Sequence, residues 1–300
     1  MTAPFELPDL PAGTFVAATP RAVLAMMPDV RTVLEGVGYG PESDGERTTA
    51  DVAGRRPLQE FRSGERRFLV RRFQHGGLLR FATGERFQDP TRPFHELAAS
   101  HRLHDAGVPT AIVVAARAQR HTGPGWQLEV VTERMPGVQD LARILDRRRT
   151  GADRGDWTDA AWRRLIRASA QTITRLHAAG FDHADLQPAN LLVDEGAFLA
   201  GDAAEIQVID LDRGSFPPAF GADHRLASLA RFARWIDLRE ARRGLAVNAT
   251  DRARFLVALE PDRAARHELA RELMRRAAAT RSRHGFGHML ERMLGMRRSR

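Results

Sequence analysis

Cysteine and lysine are both missing from this 300-residue chain. Without cysteine there is no disulfide, no thiolate nucleophile and no Cys-based zinc site. Without lysine there is no Walker A loop, no Schiff base and no lysine general base, so any phosphate clamp must be built from guanidinium groups. Aromatic residues make up only 7% of the chain and do not alternate with arginine as a single-strand binder requires, so nucleic acid is not the expected partner. Arg or Asp breaks every apolar run well short of the roughly 20 residues that cross a bilayer. The first eight residues carry Glu6 and three imino or small residues, Ala3, Pro4 and Pro8, where a signal peptide needs positive charge and then an apolar segment, so a cytoplasmic protein is expected.

What remains is ample for a folded enzyme. Apolar residues are 43% of the chain, enough to fill a core, and the length suits one large domain or two lobes sharing a cleft. The net charge of +8, all of its cations arginine, points to an anionic partner; with nucleic acid disfavoured, phospholipid or an acidic or phosphorylated sugar remains.

Three regions differ in character. Residues 1–49 hold scattered Pro and Gly with a helix expected around Arg21–Leu34, and read as an N-terminal extension packed on the main body. Residues 50–137 are strand-like: 57–62 and 66–73 flank the turn Ser63-Gly64-Glu65. A helix is expected over Pro93–Ala106, with Pro93 in its first turn and Gly107 at its end, followed by strands over Thr110–Ala118 and Gln127–Glu133. After Met135-Pro136-Gly137 the pattern becomes helical, with helices over Val138–Arg149 and Trp157–Ala179 and from about His224 onward. Two short apolar strands, Leu191–Val193 and Ile206–Ile209, interrupt it. A small sheet with one helix (50–137) and a mainly helical half (138–300) make an α+β arrangement of two lobes.

The segment His183-Ala184-Asp185-Leu186-Gln187-Pro188-Ala189-Asn190 carries the chemistry. Phosphoryl transfer needs a carboxylate near the attacking hydroxyl and a magnesium ligand close by, and Asp185 with Asn190 supplies both on one loop. Asn occurs only here and at Asn248, which makes the spacing informative; the plainer alternative is a polar helix-to-strand turn. Downstream, an apolar strand delivers Asp210 at its end, the natural second metal ligand, while Asp212 either shares that work or forms a salt bridge with a neighbouring Arg. Upstream, the period-two rule puts Leu69 and Arg71 on one strand face and Arg72 on the other. Glu96, 25 positions beyond Arg71 and early in the expected helix, is placed to hold Arg71 against the nucleotide phosphates; the alternatives are a solvated arginine and an acid answering the helix dipole. Gly54 allows close approach of backbone amides to a phosphate, or serves an ordinary turn.

These residues resemble the lipopolysaccharide kinase families, and in particular the 3-deoxy-D-manno-octulosonic acid (Kdo) kinases, over roughly residues 50–240. The likeness rests on Leu69-Val70-Arg71-Arg72-Phe73-Gln74-His75-Gly76-Gly77-Leu78, Phe94-His95-Glu96-Leu97, the Asp185 loop and Ile209-Asp210-Leu211-Asp212-Arg213-Gly214. It implies a bilobal, protein-kinase-like fold in which an arginine stands where protein kinases carry lysine. It implies ATP and Mg2+ as cofactors, with Asp185 as base, Asn190 and Asp210 as metal ligands, and Arg71 with Glu96 as the nucleotide clamp. The implied reaction phosphorylates the 4-hydroxyl of Kdo on a lipid A-linked acceptor at the cytoplasmic face of the inner membrane. Two departures stand out: Gln74-His75 where the family has two basic residues before Gly-Gly, and a longer stretch at 195–204. The basic, Met-rich stretch 288–300 suits an anionic membrane surface, or else a C-terminal helix with a frayed basic end. Two other readings share these motifs: a kinase for another small-molecule or lipopolysaccharide sugar hydroxyl, and a non-catalytic nucleotide- or nucleic-acid-binding protein. Nothing in the sequence signals an oligomeric state. The transferase reading requires Asp185, Asn190 and Asp210 to meet around one magnesium nucleotide.

Overall fold

Strands dominate the first half of the chain and helices the second. The computed structural model describes residues 3–51, 58–74, 86–120, 123–150, 157–202 and 204–277. They group into two units, one running to Gly137 and including Gln207–Asp212, the other formed by Val138–Ile206 and the chain from Arg213 onward.

In the first unit, β1 (Phe15–Ala18), β2 (Ala22–Met26), β3 (Thr48–Thr49), β4 (Gln59–Ser63), β5 (Arg66–Arg72), β6 (Val113–Gln119) and β7 (Gln127–Glu133) form an antiparallel sheet ordered β1-β2-β6-β7-β5-β4-β3. Among the described residues two helices belong to it, α1 (Pro28–Gly36) and α2 (Arg92–Asp105). Successive side chains of a strand point to opposite faces, and β2 shows both faces in use. Val23 and Ala25 pack with Phe94, Leu97 and Trp126 on the α2 side. Leu24 and Met26 pack with Val30, Leu34 and Tyr39 on the α1 side.

This two-sided burial explains a difference from the sequence reading. The expected helix over Arg21–Leu34 is instead a strand and then a helix. A five-residue apolar run buried on both faces has no period to betray it, and Pro28 starts the helix because its missing N–H is no loss in a first turn. Residues 1–49 thus supply three strands of the sheet. The turn at 63–65 is as expected, with Gln59 opposite Val70 and Ser63 opposite Arg66.

On the α1 side a row of charges crosses three strands. Arg72 of β5 lies opposite Glu129 of β7, which lies opposite Arg117 of β6. Glu129 accepts from Tyr39 Oη at 2.9 Å and from Arg47 at 2.9 and 3.1 Å, and pairs with Arg117 at 2.6 Å. Arg117, only 2% exposed, also donates to the carbonyls of Gly40 and Ser43 and pairs with Asp44. Burial works against the Glu129 carboxylate, but the two guanidiniums and the tyrosine hold it below the ordinary glutamate range. Burial, then Glu129, pushes the Tyr39 phenol well above its usual value. The loop from Tyr39 to Arg47 is thereby stapled to the sheet.

In the second unit β8 (Val138–Asp140) pairs antiparallel with β9 (Leu191–Asp194). The helices are α3 (Leu141–Thr150), α4 (Asp159–Ala178), α5 (Glu195–Ala200), α6 (Ala222–Arg243), α7 (Ala249–Leu259) and α8 over 263–277, while Ile206–Val208 forms β10. Thr158 caps α4 by accepting from the Ala161 N–H at 3.1 Å, and Arg175 and His177 suit its negative end. Its buried stripe of Trp162, Leu165, Ile166, Ile173 and Leu176 recurs at three and four residues. Here too the sequence reading needs adjustment. Val138–Asp140 is strand, not helix, because β9 offers it a partner, and the long stretch after Glu195 is a helical turn capped by Asp194 and closed at Gly201 in the left-handed region. An apolar cavity of about 300 Å³ lies among α3, α4, α6, α7 and α8, lined by residues such as Leu145, Leu165, Phe232, Phe255 and Leu273. Among the described residues no helix is long and apolar enough to cross a membrane.

Candidate active site

Arg71 sits on β5 with its side chain on the α2 side, sharing that face with Phe73, while Arg72 faces Asp44 and Glu129 on the other. The alternation of the strand fixes this division. Helix α2 is held against β6 by hydrogen bonds from the Val113 N–H to Ser100 Oγ at 3.1 Å and between His101 Nε2 and the Val113 carbonyl at 3.1 Å. Its buried stripe runs Pro93, Phe94, Glu96, Leu97, Ser100, Leu103, so Glu96 is carried inward by the same turn of helix that buries Phe94 and Leu97. Arg71 Nη2 donates to both carboxylate oxygens of Glu96, at 2.6 Å to Oε1.

The same guanidinium meets a second acid. Arg71 Nη1 lies 3.1 Å from Asp210 Oδ1. Asp210 follows a short strand anchored by Val208, whose carbonyl accepts from Thr110 Oγ1 at 2.8 Å and whose N–H donates to the Pro109 carbonyl at 3.0 Å. Two residues on, Asp212 pairs with Arg92 in the first turn of α2. Both guanidiniums lie over the Phe73 ring, at 4.7 Å for Arg71 and 5.4 Å for Arg92. Three carboxylates therefore face two guanidiniums. Burial pushes the Glu96 carboxyl up to about 7, against the pull of Arg71 and with the help of Asp210 and Asp212. Burial also works against the Arg71 cation, but its three acids hold it above the ordinary arginine value.

In the second unit the loop after α4 is a tight frame around one exposed carboxylate. Asp182 and Ser215 exchange backbone hydrogen bonds at 2.9 and 3.1 Å. Arg231 Nη2 donates to Asp182 Oδ1 and to the His183 carbonyl, at 2.9 and 3.0 Å. His183 is buried, and its Nδ1 accepts from the Asp185 N–H at 3.2 Å. Asn190 Nδ2 donates to the Asp185 carbonyl at 2.8 Å, which leaves the amide oxygen of a nearly buried side chain as its free acceptor atom. Asp185 itself is exposed, with Oδ2 accepting from Gln187 Nε2 at 2.7 Å. Gly214 passes so close to Phe181 that a Cβ there would lie 2.0 Å from the ring.

Of the residues singled out in the sequence, Arg71, Glu96 and Asp210 are brought together in the first unit, and Asp185 and Asn190 in the second. Gly54, the Gly76-Gly77 pair and the stretch 288–300 lie outside the described residues. Sequence reasoning left unnamed the partner of Asp212, which is Arg92, and missed Arg231, whose position in mid-helix carries no motif. Among the described residues no group of three or more His, Asp or Glu side chains is placed to hold a metal by itself. Magnesium does not need such a group, since it takes one or two protein oxygens and fills its shell with water and phosphate. Asp210 in the first unit and Asn190 in the second each carry hard oxygen donors of the kind magnesium takes.

The sequence model described as the lipopolysaccharide kinase (Kdo/WaaP) family matches residues 42–258. The 3-deoxy-D-manno-octulosonic acid kinase of Xylella fastidiosa (strain M23) is 29% identical over 169 residues, covering 54% of this chain and 60% of the relative. The enzyme of the same description from Vibrio cholerae serotype O1 is 26% identical over 180 residues, covering 59% and 68%. The match to the Xylella protein thus spans less than two thirds of its length. Among solved structures, WaaP in complex with acyl carrier protein is similar with a TM-score of 0.54 at 20% identity, over 85% of this chain and 98% of that one. The fold is accordingly α+β and like that of WaaP.

Proposed function

The chain belongs to the lipopolysaccharide kinase (Kdo/WaaP) family, and from that premise we propose that it transfers the γ-phosphoryl group of ATP to the 4-hydroxyl of a Kdo sugar on a lipid A-linked acceptor. The observation that carries the reading is the Arg71 guanidinium held at once by Glu96 and Asp210. A cation so fixed grips the α- and β-phosphates without having to be ordered first. Asp185 takes the proton of the attacking hydroxyl as its oxygen bonds to the γ-phosphorus and the bond to the β–γ bridging oxygen breaks, releasing ADP. Magnesium, when bound with ATP, supplies charge neutralisation at the β- and γ-phosphoryl oxygens, and Asn190 and Asp210 are the residues that would hold it. Gly54 would line the loop that covers the phosphates. The Asn190 amide, donating to the Asp185 carbonyl, also keeps the base's backbone in place.

The acceptor is anionic and lipid-linked in this reading, which suits a chain of net charge +8 and puts the reaction at the cytoplasmic face of the inner membrane, with the chain peripheral to it. In this reading the nucleotide clamp lies in residues 50–137 and the catalytic loop, metal site and acceptor side in 138–300. The test is ADP release from Mg2+, ATP and a Kdo-bearing lipid A precursor, with mass spectrometry of the product. Asp185→Ala should cost about 100-fold or more in kcat while circular dichroism stays unchanged. Turnover at the original rate would remove Asp185 from its role, and a phosphate found on a sugar other than Kdo would reassign the acceptor.

A further inference from the structure

Asp212 shares a loop with Asp210 but points to a different partner. Its carboxylate pairs with Arg92, and both side chains are mostly buried, Asp212 at 12% and Arg92 at 23% exposure. Between the two acids Leu211 is buried at 3%. Asp210 is the one described residue other than glycine with a positive φ, at 64°. A left-handed aspartate is strained and persists only when its surroundings over-determine it. Here they do. Val208 is fixed by Thr110 and Pro109 on the near side, Asp210 is paired with Arg71, Leu211 is packed, and Asp212 closes the far side through Arg92.

We propose that Arg92 and Asp212 form a positioning pair that ties the 207–212 segment to the first turn of α2 and so presents Asp210, in its left-handed conformation, to a magnesium nucleotide. The inference rests on the phosphotransferase reading above and deepens it. Arg92 acts on the metal site through Asp212 and the backbone, with no contact of its own to nucleotide. Asp212 is spent on the ion pair and is not a ligand. The Phe87 ring lies 4.8 Å from the Arg92 guanidinium, and Phe73 lies 5.4 Å away, so the cation has aromatic walls on which a shorter or flexible substitute cannot stack.

Calorimetric titration of the full chain with ATP, once with Mg2+ and once with EDTA, tests this. Arg92→Ala and Asp212→Ala should each weaken Mg2+–ATP binding about tenfold, as loss of a supporting partner behind a metal ligand does. Affinity for metal-free ATP should stay the same. The double variant should be no worse than either single one, and Arg92→Lys should recover part of the loss. Asp212→Asn serves if an alanine variant fails to fold. Loss in Asp212→Ala with full affinity in Arg92→Ala would make Asp212 a direct ligand and overturn the proposal. So would weaker metal-free ATP binding in Arg92→Ala alone, which would make Arg92 a phosphate contact, or additive losses in the double variant. Absence of Mg2+-dependent ATP binding in the unaltered chain would instead overturn the reading on which the proposal rests.

Discussion

Replacing Glu96 with glutamine isolates the electrostatic cost of the clamp. The carboxyl sits at about 7 in the folded chain against an ordinary 4.5, chiefly because it is buried. The folded state therefore binds this proton more tightly than the unfolded state. Stability from the group is fully present below about pH 4.5 and is lost as pH rises through 7. At 1.36 kcal/mol per tenfold change in proton affinity, the loss between pH 5 and pH 8 is about 2–3 kcal/mol. Glu96→Gln keeps the shape and offers Arg71 an amide oxygen, but it cannot titrate. Urea titrations of both proteins at pH 5, 6, 7 and 8, followed by tryptophan fluorescence and circular dichroism, give the two stability curves. The expected result is a difference between them that shifts by about 2–3 kcal/mol in favour of the glutamine variant toward pH 8. Parallel curves would refute the reasoning, since they would mean that Arg71 keeps Glu96 ionised throughout and that burial is outweighed.

Other perturbations test other parts of the structure. Glu129→Ala leaves Arg117 and Arg47 buried without their shared carboxylate and should cost about 3–5 kcal/mol, whereas Glu129→Leu with Arg117→Met should recover most of it. An equal loss in the double variant by thermal melting would deny that the charges are the cause. Gly214→Ala puts a Cβ against the Phe181 ring and should cost about 1–3 kcal/mol, read as a lower Tm; an unchanged Tm would show that the ring yields freely. Burial, then the nearby Arg225, pushes His177 down to about 4. Its NMR signals should therefore show no titration above pH 5, and its contribution to stability, full above about pH 6.5, should fall as pH drops toward 4. A midpoint near 6.5 would place the ring in solvent.

The sequence made some of this legible because local rules govern it. Strand alternation alone puts Arg71 and Arg72 on opposite faces, and the spacing from Arg71 to Glu96 reaches from a strand to the next helix. The loop from His183 to Asn190 is a single short motif, so its internal hydrogen bonds can be anticipated from residue order. Harder to see were features assembled from distant positions. Arg72, Glu129 and Arg117 meet only because β5, β7 and β6 lie side by side, and no local pattern announces that order. The strand at 22–26 is apolar on both faces and so carries no period. Asp212 can be suspected of pairing with an arginine, but in a chain with 46 basic residues nothing in the sequence selects Arg92.

The return of residues 207–212 to the first unit has a consequence for synthesis. A ribosome releases the seven strands of that sheet long before it makes Val208, Asp210 and Asp212, and the whole stretch from Val138 to Ile206 intervenes. A nascent chain halted in that interval owns its sheet and its α2 helix, yet Thr110 lacks the carbonyl it donates to, and Arg71 and Arg92 each lack a carboxylate. Vectorial folding of this polypeptide therefore leaves its N-terminal portion provisional until the later segment threads back, and a cleavage at 137 would yield a fragment that is folded in outline but electrically unfinished.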